Sequence, residues 1–69
     1  MNIAYINLVN TRGQERKVES IERGDGNMSD AGKKDQALRF QEIKFRKKIA
    51  NGCRLRLYNS KGQLEIESE

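Results

Sequence analysis

The chain has no histidine, and Cys53 is its only cysteine. The first absence removes every histidine-dependent triad, and the two together remove the common zinc sites. A lone thiol cannot staple the fold internally, which fits a reducing compartment, and a cytoplasmic location is expected. No run approaches the length of apolar residues needed to span a bilayer, so no membrane association is expected. The opening MNIAYINLVN has neither a basic leader nor a long apolar core and does not read as a signal peptide. At 69 residues the chain forms one small domain, 1–69, and can hardly enclose a substrate pocket. No catalysis, cofactor or metal is expected.

What is present is charge. Hydrophobic and charged residues each make up 35% of the chain, where ordinary domains run nearer half and a quarter. Fourteen Lys and Arg stand against ten Asp and Glu, a net of +4. The excess is local. Residues 33–56 hold nine basic side chains and only two acidic ones, Asp35 and Glu42, while the C-terminal EIESE is acidic. One basic region on a nearly balanced chain points to a polyanionic partner.

Residues 2–9 (NIAYINLV) are β-branched and aromatic and predict a strand, apolar on both faces and therefore central or covered. Asn10-Thr11-Arg12-Gly13 then reads as a turn. Over 14–23 the three-residue spacing of Val18 and Ile21 is helical, but the preceding turn favours a hairpin partner, with a bulge to reconcile the spacing. Residues 24–36 (GDGNMSDAGKKDQ) are polar, with three glycines, and read as a flexible loop. Counting from Asp25, their Asp and Asn residues miss the glycine and the closing glutamate that an EF-hand requires.

Residues 37–49 admit two readings. Ser29 or Asp30 can cap a helix, good helix formers follow, and Asn51-Gly52 is a suitable stop. At 100° per residue Leu38, Phe45 and Ile49 cluster within roughly 40°, but Phe40 and Ile43 fall on the far side. As a strand, Leu38-Phe40 and Ile43-Phe45 alternate around one bulge, which gives a five-stranded all-β barrel or open sheet. The helix is preferred because propensity, caps and charge order agree.

The segments 53–58 (CRLRLY) and 63–67 (QLEIE) alternate cleanly and predict a hairpin through Asn59-Ser60-Lys61-Gly62. A four-residue loop would set Leu57 opposite Leu64 and Leu55 opposite Ile66, all on one face, with Arg54 and Arg56 beside Glu65 and Glu67. LVNTRGQ (8–14) and LYNSKGQ (57–63) echo one another. Shared turn chemistry accounts for this, and so would a duplicated hairpin with pseudo-symmetry.

The expected fold is α+β, in the order β-β-α-β-β, a four-stranded antiparallel sheet of two hairpins with one helix on a face. Its expected core is Ile6, Leu8, Val18, Leu38, Phe45, Ile49, Leu55, Leu57, Leu64 and Ile66. The expected nucleic-acid surface comprises Lys33, Arg39, Lys44, Arg46, Lys47, Lys48, Arg54 and Arg56, with Tyr5 or Tyr58 offering a ring for stacking. Phe40 and Ile43 on the outer helix face form a candidate protein interface. Cys53 reads as a small buried residue at a strand start. The partner expected is DNA, RNA or a protein complex that handles them, with an inhibitor of the phage or mobile-element kind fitting the size and charge. The alternative is a dimeric interaction module that binds no nucleic acid, the homodimer being the simplest use of Phe40 and Ile43.

Overall fold

Strong β-formers at both ends of the chain and a helix-prone middle produce six elements in the computed structural model, which describes residues 2–23 and 26–68. They are β1 (Asn2–Val9), β2 (Glu15–Glu22), α1 (Asp30–Lys44), α2 (Arg46–Ala50), β3 (Arg54–Asn59) and β4 (Leu64–Glu67). The strands form one antiparallel sheet in the order β2-β1-β3-β4, with the helical layer on one face. The α+β reading holds, and the all-β alternative does not. No helix among the described residues is long and apolar enough to cross a membrane.

The two hairpin turns are built alike, bond for bond. In the first, Asn10 N–H donates to the Gln14 carbonyl (2.9 Å), and its Oδ1 accepts from the Arg12 and Gln14 amides (2.9 and 3.0 Å). In the second, Asn59 N–H donates to the Gln63 carbonyl (2.9 Å), and its Oδ1 accepts from the Lys61 and Gln63 amides (2.8 and 3.0 Å). Each asparagine also donates from Nδ2 to the glutamine Oε1. Gly13 (φ +83°) and Gly62 (φ +79°) take the left-handed position that closes each turn. Ile6 faces Leu57 and Leu8 faces Leu55. An approximate two-fold axis through the Asn7–Arg56 pair therefore exchanges the two hairpins.

Bulges then set which side chains enter the core. Val18 is the extra residue between Lys17 (opposite Asn7) and Glu19 (opposite Ile6), and it places Ile21 on the helix side. In the second hairpin the loop is effectively three residues, so Tyr58, not Leu57, faces Leu64. Glu65 is bulged, and Leu57 faces Ile66. The expected Leu57–Leu64 and Leu55–Ile66 register is thus corrected by one turn residue and one bulge. Leu64 falls on the face away from the helix, Ile66 lies at an edge the helix does not cover, and both are exposed.

The core is Ala4, Ile6, Leu8, Ile21, Leu38, Leu55 and Leu57, with Val18, Phe45, Ile49 and Cys53 packed partly against it. Ile6, Leu55 and Leu57 are fully inaccessible. Helix α1 starts at Ser29, whose Oγ accepts from the Gly32 amide at 3.1 Å. The polar stretch expected to be a loop through residue 36 is therefore helical from Asp30 onward. Gly24 and Asp25 lie outside the described residues. The apolar stripe of α1 is indistinct because a polar residue occupies its centre. Gln41 is buried and donates from Nε2 to Glu19 on β2 at 3.2 Å.

Candidate nucleic-acid interface

Strand alternation decides the fate of the two β3 arginines. Leu55 and Leu57 point to the helix, so Arg54 and Arg56 point to the opposite, open face of the sheet. There carboxylates from both edge strands meet them. Arg56 Nη1 lies 2.9 Å from Glu15 of β2, its Nε donates to Glu67 of β4, and Arg54 lies 3.7 Å from the same Glu67. Glu15 also accepts from the Tyr58 hydroxyl (2.6 Å) and Asn7 Nδ2 (3.3 Å). One polar network thus crosses all four strands.

The network has the titration behaviour its geometry requires. The Tyr58 hydroxyl, helped by Asn7 and the Arg56 guanidinium, holds the Glu15 carboxyl below its ordinary value. The same hydrogen bond to Glu15 pushes the Tyr58 phenol up. Glu67, first among its neighbours, holds Arg56 firmly in the charged form. Arg56 is thereby occupied within the protein, and Arg54 stands at the edge of the same network. Tyr5 and Tyr58 stack on one another across β1 and β3, with ring centroids 5.2 Å apart and planes 18° apart. Each ring has one face covered by the other, and the Tyr58 hydroxyl is engaged as well. The pair is therefore no open platform for two bases.

The helical cations divide differently. Arg39 pairs with Asp35 one turn earlier (3.0 Å), and Lys34 reaches Glu65 on β4 (2.8 Å). Lys33 lies half-buried in the first turn of α1, beside a groove of about 300 Å³ between α1 and β2. The single helix expected over this stretch is interrupted at Phe45 (φ −107°, ψ 23°), which separates α1 from α2. Past this interruption, Arg46, Lys47 and Lys48 are exposed on α2, with exposed Lys44 just before it. None of the four has an ion-pair partner among the described residues. Lys44 Nζ stands 5.6 Å from the Phe45 ring centroid, a contact that leaves its charge available.

The structure therefore brings Lys44, Arg46, Lys47 and Lys48 together, and it turns Arg54 and Arg56 to the other side of the sheet. Sequence reasoning missed the exposed cations of the first hairpin, Arg12, Arg16 and Lys17. Val9, just before that hairpin's turn, pairs with Arg54, just after the helical layer, so the turn and α2 share one end of the molecule. The echo between the turns was the available signal: it fixes the first hairpin, and the hairpin fixes which end carries Arg12.

Phe40 and Ile43 are exposed on α1 as expected, at 60% and 76%. They line different concavities. Phe40 lines the α1–β2 groove with Ile21 and Ala37, whereas Ile43 lines a second concavity with Arg39, Arg46 and Ile49. Cys53 is a half-buried free thiol. No protein family, curated protein or solved structure matches the chain.

Proposed function

We propose that this chain is a small non-catalytic binding protein of the cytoplasm that contacts nucleic acid, or a complex that handles it, through Lys44, Arg46, Lys47 and Lys48. One observation carries the reading: four exposed cations fall within five residues at a helical end, and none of them is in an ion pair among the described residues. Four other cations of the same basic stretch and the sheet, Arg54, Arg56, Lys34 and Arg39, are paired. Leaving one cluster unpaired costs self-repulsion that an approaching phosphate backbone relieves. An inhibitor of the phage or mobile-element kind is the form this reading takes when the contact is with a protein that holds nucleic acid.

The test is titration against labelled single- and double-stranded DNA and RNA at two salt concentrations. Four phosphate contacts give a slope of log K on log salt of about −3 to −4. The triple reversal K44E/K47E/K48E should lower affinity at least about 100-fold with an unchanged circular dichroism spectrum. Absent or salt-insensitive binding would remove the reading.

A second reading, a dimeric interaction module, is favoured by the exposure of Phe40 and Ile43. It expects a dimer mass by light scattering that F40S/I43S reduces to a monomer while the chain stays folded. A monomeric wild type counts against it.

A further inference from the structure

The first hairpin turn and the end of α2 approach closely. A Cβ placed on Gly52 would lie 3.1 Å from Thr11 Cγ2, and Gly52 itself holds φ +103°. Next to this junction is a cleft of about 340 Å³. Arg16 and Gln14 line it from the hairpin, and Lys48 and Cys53 from the helical side, above the buried Leu8. Arg16 faces Leu8 across the strands and so shares the helix-facing side of the sheet. Neither Arg16 nor Lys48 has an ion-pair partner among the described residues. Glu15 also borders the cleft, but its carboxylate is engaged by Tyr58, Asn7 and Arg56 on the open face. Gln14 gives its Oε1 to Asn10, which leaves its Nε2 hydrogens as donors at the rim.

We infer that this cleft is a phosphate site, with Arg16 and Lys48 supplying the charge from opposite walls and Gln14 a neutral donor. Two cationic residues from segments far apart in sequence line one concavity, and the one carboxylate lining it among the described residues is committed elsewhere. A planar guanidinium engages two phosphate oxygens at once, and an ammonium adds a point charge from the other side. The inference rests on the proposed function for its natural ligand: one phosphodiester of the backbone that also crosses Lys44 and Lys47. It extends the contact surface onto the hairpin and fixes the path of the strand around the end of the molecule.

The experiment compares R16A and K61A with the wild type. Lys61 lies in the second turn, at the opposite end of the central strands, so K61A removes the same charge far from the cleft. With a labelled single-stranded oligonucleotide, R16A should lose about 5–10-fold in affinity and about 0.7 in salt slope, while K61A changes neither. Titration with inorganic phosphate should shift the amide resonances of Gln14, Arg16 and Lys48 saturably in the wild type and not in R16A. If R16A binds the oligonucleotide as the wild type does while K44E/K47E/K48E does not, the cleft inference is wrong and the proposed function stands. If no nucleic acid binds but phosphate still saturates the cleft in the wild type alone, the cleft is a site for a free phosphate ligand and the proposed function fails. Equal losses in R16A and K61A would reduce the effect to net charge and overturn the inference.

Discussion

Arg54 and Arg56 on β3 stand only a few residues from Lys47 and Lys48 on α2, and in sequence they belong to one basic stretch. In space they have opposite fates. A strand in the middle of a sheet has strands on both sides, and here the two edge strands, β2 beyond β1 and β4 alongside, bring Glu15 and Glu67 to the arginines. A short helix at the end of a layer has no such neighbours, and its cations stay unpaired among the described residues. A run of basic residues is therefore not yet a basic surface: the element that carries each one decides whether the protein neutralises it. The proposed function rests on the set left over.

Three perturbations break or sharpen this contrast. The largest effect is the loss of at least about 100-fold in oligonucleotide affinity for K44E/K47E/K48E, since it reverses the unpaired set itself. Next, E15A/E67A should release Arg56 and Arg54 to solvent and raise affinity about three-fold, measured in the same titration. A protein whose arginines already served the ligand would show no gain. The smallest effect concerns stability. Because the Glu15 carboxyl is held below its ordinary value, its stabilisation is full above that value and is lost as pH falls through the depressed one. The wild type should lose more stability than E15Q on acidification from about pH 5 to about pH 3, by at most about 1 kcal/mol for a surface network of this kind. The raised Tyr58 works in the other direction: its contribution is present below the ordinary phenol value and is lost as pH rises through the higher one. Denaturant midpoints across pH check both.

Much of the fold was legible because local signals agreed. The strand-turn-strand pattern at each end, the Ser29 cap and the bulge that reconciles Val18 with Ile21 all follow from residue type and spacing. The errors arose where one residue shifts a register. Counting the second loop as four residues instead of three moved Leu64 into the core on paper, whereas the strand puts it on the open face at 50% exposure. Gln41 escaped notice because a buried amide breaks the apolar pattern that marks a helix face, and its partner, Glu19, lies on a different element. The site was legible as charge but not as surface. The composition located the cations, but which carboxylates would meet them depended on pairing across β2, β1, β3 and β4, and the part played by Arg16 depended on which end of the sheet α2 would close.

The most direct test matches two neutralisations that each remove two charges. K47Q/K48Q and R54Q/R56Q are compared in one titration against labelled single-stranded DNA at low and moderate salt. The account predicts at least about a ten-fold loss and a salt slope shallower by about 1.4 for K47Q/K48Q, with less than about a two-fold change for R54Q/R56Q. A larger loss for R54Q/R56Q would contradict it, because the paired arginines of the sheet would then be the ones that hold the ligand.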